Sequence, residues 1–208
     1  MEPKTQGKKM NLAPIALFVY NRPWHTRQTV ESLQQNDPAR DSDLFIFADG
    51  PKNPGLDPAV LQVREYIRGI TGFKSVTLIE REQNLGLAQS LIEGVTRVCG
   101  NRGRVIVLED DMVLSPYFLA YMNQGLDEYA QENRVISIHG YIFPHKGPLP
   151  ETFFLRGADC WGWATWQRGW SLFEPDGAKL LADLRRRRLT RAFDFNGAYG
   201  YTAMLHKQ

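Results

Sequence analysis

Up to about residue 140, short apolar runs alternate with stretches in which apolar positions recur every three or four residues. Ile15 to Tyr20, Leu44 to Ala48, Val76 to Ile79, Val105 to Leu108 and Val135 to His139 are rich in β-branched and aromatic residues. The first, second and fourth are apolar throughout, as in strands buried on both faces in the middle of a parallel sheet. Between the runs, Thr26 to Gln35 carries Val30 and Leu33 at helical spacing, and a second segment gathers Val60, Leu61, Val63, Tyr66, Ile67 and Ile70 near one side. Leu87 to Val98 and Tyr117 to Tyr129 read the same way, the last with Ser115 as N-cap and Pro116 at the first helical position. Strands alternating with amphipathic helices predict an α/β domain with a mainly parallel sheet and right-handed crossovers.

After Gly140 the pattern changes. Phe143 to Pro150 reads as loop, Phe153 to Leu155 as an antiparallel strand, and Asp159 to Phe173 packs four tryptophans close together at near-helical spacing. A helix from about Ala178 to Arg188 ends in four arginines, and Asn196 to Lys207 reads as one more helix that meets no stop signal before Gln208. The expected layout is a loose polar tail over residues 1–13, an α/β half over 14–140 and a different, C-terminally incomplete half over 141–208.

Composition narrows the class. A hydrophobic share of 43% and a charged share of 23% are those of an ordinary globular chain. A net charge of +2 gives no footprint for nucleic acid. Cys99 and Cys160 form no motif, so neither a disulfide framework nor a zinc site is expected and the cytoplasm is the default. No apolar run approaches the ~20 residues of a membrane span.

The chemistry is expected at the strand ends. Glu109, Asp110 and Asp111 follow directly on the central run Val105 to Leu108. Three neighbouring carboxylates at the end of a buried strand repel one another and lose hydration. Mg²⁺ or Mn²⁺ removes that difficulty, because such ions take carboxylate oxygens together with water and substrate phosphates. A solvated acidic turn is the plainer alternative. Asn21 and Arg22, Asp49, and Asn84 end the other early runs. Arg22 offers a planar fork to phosphate oxygens, and Asp49 an acceptor for a base N–H or a ribose hydroxyl. Singly, Arg22 reads as a surface ion pair and Asp49 as a turn-former before Gly50-Pro51. A parallel sheet, however, brings all these ends to one crevice.

The succession FVYNRP, FADGPK, NLGLAQSLIEGV, VIVLEDDMVLSP and GADCWGWATW resembles the GT-A glycosyltransferases. Within that fold it is similar to bacterial family-2-like sugar transferases, related to the N-acetylglucosaminyltransferase that starts complex N-glycans. The resemblance runs from about Ile15 to Phe173; each motif alone is weak, and their order makes them specific. It implies that residues 14–140 bind the nucleotide-diphospho-sugar and 141–208 begin the acceptor side. It makes Asp111 the metal ligand, sets Glu109 and Asp110 against sugar and ribose hydroxyls, Arg22 against the diphosphate and Asp49 against the base. Trp161 and Trp163 coincide with the family's loop beside the donor sugar, while Trp166 and Trp170 are expected in the core. The family's base-side position falls near Ala88 to Ser90, where no strong base-reader stands.

The implied activity is metal-dependent, inverting sugar transfer to an acceptor hydroxyl, in bacterial surface polysaccharide or glycan synthesis. The catalytic base is unknown: the family supplies it from a segment beyond Gln208, and Asp159, Glu174 and Asp194 match no family motif. The acceptor would be a glycan or a lipid-linked molecule. Arg185, Arg186, Arg187 and Arg188 read first as a solvated helix end, with a peripheral contact at the inner membrane face as the alternative. Two rival functions stand beside this one. A sugar-phosphate nucleotidyltransferase would need a Gly-rich phosphate loop, which Asn21-Arg22-Pro23 is not. A non-catalytic nucleotide- or carbohydrate-binding fragment is the other.

Overall fold

The computed structural model describes residues 11–53 and 57–207. Residues 1–10, most of the expected tail, lie outside the described residues. In chain order the elements are β1 (Ile15–Val19), α1 (Pro23–Gln34), β2 (Asp43–Ala48), α2 (Pro58–Arg68), β3 (Ser75–Glu80), α3 (Leu87–Arg102), β4 (Arg104–Glu109) and α4 (Phe118–Glu128). Then come β5 (Ser137–His139), β6 (Trp163–Trp166), α5 (Gln167–Trp170), α6 (Gly177–Arg186), α7 (Thr190–Phe193) and α8 (Tyr201–Leu205). The class is the α/β one expected. The sheet order is β3-β2-β1-β4-β6-β5, with β3, β2, β1 and β4 mutually parallel and β6 antiparallel to both its neighbours.

The apolar runs became the central strands because both their faces are covered. Ile15, Leu17 and Val19 of β1 face one cluster with Val30, Leu33, Val63, Ile67 and the apolar side of α4. Ala16 and Phe18 face the other with Val95, Val98 and Cys99 of α3. Thus α1, α2 and α4 cover one side of the sheet and α3 the other. Asp57 starts α2 by accepting from the Ala59 amide at 3.0 Å, with Pro58 at the first helical position.

Four expectations fail locally. Helix α4 begins at Phe118, not Pro116: the Ser115 carbonyl accepts from the Phe118 amide at 3.0 Å, so Ser115 to Tyr117 form a turn ahead of the helix. Phe153 to Leu155 is no strand; Phe154 and Leu155 are each 68% exposed, and the antiparallel strand is β6 instead. The tryptophans therefore do not share one helix, since Trp163 and Trp166 lie on β6 and only Trp170 on α5. Asn196 to Lys207 is broken rather than continuous, because Asn196 sits at φ 60° and Gly197 at φ 95° before α8.

The chain divides into two compact units. The first comprises the residues up to Tyr141 together with Cys160–Trp170 and holds the whole sheet. Within it Arg168 ties down the end of α4, donating to the carbonyls of Tyr129 at 2.8 Å and Val135 at 2.7 Å. The second comprises Ile142–Asp159 and the residues from Ser171 on. It gathers α6, α7 and α8, with Phe193, Phe195 and Tyr199 around Tyr201. Among the described residues no helix is long and apolar enough to cross a membrane.

Candidate active site

The sheet order places the site. From β1 the chain crosses to β2 and β3 over the α1/α2 side, then returns to β4 over the opposite side through α3. The chain leaving β1 heads for β2 and the chain leaving β4 for β5 and β6, in opposite directions along the strand order, so a crevice opens between their carboxyl ends, where open α/β sheets bind ligands. Arg22 stands at one lip, after β1, and Glu109, Asp110 and Asp111 at the other.

These groups meet. The Arg22 guanidinium donates through Nη1 to Asp111 Oδ2 at 2.8 Å and through Nη2 to Asp110 Oδ1. The partners differ in depth: the Asp110 side chain is 4% exposed, those of Asp111 and Arg22 42% and 44%. Asp110 Oδ2 is buried without a hydrogen-bond partner. Burial pushes the Asp110 carboxyl above the usual carboxylate range even though Arg22 pulls the other way. Glu109 is raised too, by burial first and then by the charges of Asp111 and Asp110. On the Arg22 side burial is outweighed by Asp110 and Asp111, so the pKa rises and the cation is held.

Helix α1 fixes this geometry through a stripe of buried polar residues. The Thr26 hydroxyl donates to the Arg22 carbonyl at 2.9 Å. The Thr29 hydroxyl accepts from the Met112 amide at 3.0 Å, and the Ser32 hydroxyl from the Leu114 amide at 3.1 Å. Asn36, just past the helix, accepts from the Leu119 amide at 2.9 Å. One helix side thus holds Arg22 and the loop that follows the acids. Sequence reasoning missed it; the available signal was Thr26, Thr29, Ser32 and Asn36 at three- and four-residue spacing beside Val30 and Leu33.

The other wall is built at the ends of β2 and β3. Asp49, 5% exposed, accepts from the amides of Gly50 (3.0 Å) and Leu85 (2.9 Å) at Oδ1, and from Gly86 (3.0 Å) at Oδ2. Asn84 donates to the Gly50 carbonyl at 2.8 Å. A Cβ on Gly50 would lie 2.5 Å from the Gln83 carbonyl carbon, so only glycine lets these two turns touch. Gly86, at φ 76°, turns the chain into α3.

Between the walls lies a cleft of about 270 Å³, lined by Tyr20, Arg22, Asp49, Asn84, Glu109 and Asp110, and also by Lys52, Gly86 and Ser90. Lys52 was missed; its cue is a lysine just past the Asp49-Gly50-Pro51 turn. Ser90 brings a buried hydroxyl from the first turn of α3. Of the residues expected at the site, Arg22, Asp49, Glu109 and Asp110 line this cleft, and Asp111 joins them through Arg22. Trp161 and Trp163 are not in its lining. Trp161 is 46% exposed with Tyr141 edge-on at 4.6 Å. Trp163 packs on the α3 side of the sheet, 6.0 Å from Trp170, and Trp166 is buried, donating to the Leu126 carbonyl at 3.1 Å.

The donor set suits a hard divalent cation. Asp110 has an unpartnered buried oxygen, Asp111 is half exposed at the rim, and both are carboxylates. No group of three or more metal-ligating side chains is poised among the described residues. Mg²⁺-type sites commonly take one or two carboxylates and complete their shell with water and substrate phosphates.

A model of glycosyl transferase family 2 matches residues 15–162. No curated protein matches. Among solved structures, the mannosyltransferase PcManGT from Pyrobaculum calidifontis, in complex with GDP-Man and Mn²⁺, is 15% identical with a TM-score of 0.44, over 63% of this chain and 38% of that one. TarS from S. aureus is 16% identical with a TM-score of 0.42, over 56% of this chain and 20% of that one. TarS 1–349 with UDP is 14% identical with a TM-score of 0.41, over 64% and 38%. The chain thus spans less than two fifths of each of these structures.

Proposed function

The chain belongs to glycosyl transferase family 2, its α/β sheet being of the GT-A kind, and on that premise we propose that it moves a sugar from a nucleotide-diphospho-sugar to an acceptor hydroxyl. The observation that carries the reading is the convergence of Arg22 with Asp110 and Asp111 at the β1/β4 crevice, opening on a cleft with Asp49 on its far wall. Arg22 meets the diphosphate and holds the charge that grows on it as the glycosidic bond breaks. Asp111 holds Mn²⁺ or Mg²⁺, which supplies further neutralisation of the leaving group. Glu109 accepts from sugar and ribose hydroxyls, while Asp110, expected beside it in that role, lies buried against Arg22 and supports the cation together with Asp111. Asp49 keeps the base-side wall in shape; three of its roughly four acceptor sites are occupied, leaving one for a base N–H or a ribose hydroxyl. Trp161 is the exposed aromatic offered to sugar, while Trp163 is engaged in packing.

Inversion at the sugar carbon, a role in bacterial surface polysaccharide and a glycan or lipid-linked acceptor belong to the same reading and rest on the sequence resemblance. So does peripheral contact of Arg185 to Arg188 with an anionic membrane. Arg186 and Arg187 are drawn to Asp183, and Arg185 to His206, so the charge offered to lipid is smaller than four arginines suggest.

A thermal-shift screen of UDP-, GDP- and dTDP-sugars with and without Mn²⁺ tests the proposal, because a ligand that binds only the folded state raises its melting temperature. At least one nucleotide sugar should do so in a Mn²⁺-dependent way, with donor hydrolysis as the second readout. No response to any donor, or pyrophosphate exchange in place of hydrolysis, overturns it.

A further inference from the structure

The position between the Asp110 and Asp111 carboxylates, which a cation could share, holds a side chain of the chain itself. Arg22 spans both carboxylates, one prong on each. We propose that Arg22 is an internal stand-in for the metal, which keeps the carboxylates closed to a divalent cation until a diphosphate arrives to receive the guanidinium. The inference rests on the nucleotide-sugar reading above and adds to it a coupling between metal and donor.

The depths of the groups support an exchange rather than a fixed ion pair. Asp110 is buried, with one oxygen on Arg22 and the other unpartnered, so it keeps its charge cheaply only beside a cation. Taking the cation away from a buried carboxylate is costly unless another charge replaces it. Arg22 and Asp111 are both near half exposed, so the outer prong opens onto solvent and onto the cleft. Arg22 also lines that cleft, where a bound diphosphate would meet its fork, and the Thr26 hydroxyl ties the Arg22 carbonyl to the first turn of α1.

Consider each ligand alone. A divalent cation must displace Arg22 to gain two carboxylates, and no third acid, histidine or cysteine joins them among the described residues. A diphosphate alone meets Glu109, Asp110 and Asp111 while Arg22 is still engaged with two of them. Together, each ligand removes the other's obstacle: the phosphates accept the Arg22 fork and complete the metal's shell, and the metal takes over Asp110 and Asp111. Coupling of this kind is reciprocal, and typically multiplies each affinity by 5–150-fold, as an order of magnitude.

The test is binding of Mn²⁺ alone, followed by calorimetry and by the electron paramagnetic resonance of free Mn²⁺, to the full chain and to Arg22→Gln. The variant removes the internal cation and leaves the carboxylates. It should bind Mn²⁺ alone about tenfold more tightly than the wild type, and UDP or GDP in the presence of Mn²⁺ about tenfold more weakly. Those opposite signs are the signature, since a residue that merely braced the site would weaken both when removed. Arg22→Lys keeps the charge but cannot span two carboxylates, and should tighten Mn²⁺ less; it carries the same criterion should Arg22→Gln fail to fold. Equal or weaker Mn²⁺ affinity in the folded variant, with the wild type still binding nucleotide and Mn²⁺, overturns the inference and leaves the proposed function standing. A wild type that binds neither UDP nor GDP with Mn²⁺ overturns both.

Discussion

Asp49 and Asp110 stand at the carboxyl ends of two strands of one sheet, both at least nine-tenths buried, yet they are built into opposite situations. Asp49 receives three backbone amides, all from the turns beside it. Asp110 receives one prong of a half-exposed arginine, with the Tyr20 amide also favouring its ionised form, and keeps a buried oxygen with no partner. A carboxylate whose acceptors are filled by backbone is a strut. One compensated by a removable cation, beside two further acids, stores an unfavourable arrangement that a ligand relieves. Residue type, burial and topological place do not separate the two; the identity of the donors does.

The largest effect expected from disturbing the second aspartate's surroundings is on ligand binding. Asp111→Asn keeps the shape of the rim but removes one of the carboxylates proposed to hold the metal, so Mn²⁺-dependent binding of a nucleoside diphosphate should fall by on the order of a hundredfold. The melting temperature should hardly move, because an exposed ion pair is worth about 0–1 kcal/mol. Calorimetry with UDP and GDP checks the first part, and affinity kept in the variant would remove Asp111 from the metal site.

On the strut the order should reverse. Asp49→Asn replaces a carboxylate that accepts three amides with a group that has one acceptor oxygen and a competing NH₂. Hydrogen bonds to charged groups are worth about 1.5–3 kcal/mol each, so the variant should lose about 2 kcal/mol of stability. Urea unfolding measures it. A variant as stable as the wild type, but poor in nucleotide binding, would make Asp49 a ligand contact and erase the contrast with Asp110.

The sequence could show that contrast only in part. Ile15 to Tyr20, Leu44 to Ala48 and Val105 to Leu108 were legible because strands covered on both faces must be apolar throughout, and their ends then follow. The α1 stripe was not legible, because a buried threonine or serine looks like an exposed one until the amide it serves, such as that of Met112 or Leu114, is in place. Trp163 and Trp166 were read on a near-helical spacing, whereas β4 recruits them into an antiparallel strand, a tertiary partner overriding local pattern. Phe153 to Leu155 has strand composition but stays irregular, so composition alone did not make it a strand.

The stripe offers a smaller perturbation. Thr29→Val keeps the branched shape, removes the hydroxyl and strands the Met112 amide, at a cost of about 1–2 kcal/mol for a buried donor left unpaired. The loop after Asp111 should loosen with it, so hydrogen exchange at residues 112–114 should speed up before the rest of the sheet is affected. Unchanged exchange there would show that the acids are held by Arg22 alone.

The smallest expected effect runs in the other direction. Glu109 ends β4 half-buried beside Asp110 and Asp111, and both burial and those charges disfavour its ionised form. The Arg22 cation opposes this but does not outweigh it, being engaged with the other two acids. Glu109→Gln retains length and hydrogen-bonding shape while removing a charge from the cluster, so at neutral pH it should stabilise the fold, by about 0.5–1 kcal/mol. That sign separates the two walls: neutralising the carboxylate at the end of β2 costs stability, whereas neutralising one at the end of β4 returns it. Denaturant midpoints of Glu109→Gln and Asp49→Asn, measured side by side without metal or nucleotide, provide the comparison. Should Glu109→Gln prove less stable than the wild type, Glu109 has a favourable native partner, and the β4 acids are a satisfied structural cluster rather than one held ready for a cation and its phosphates.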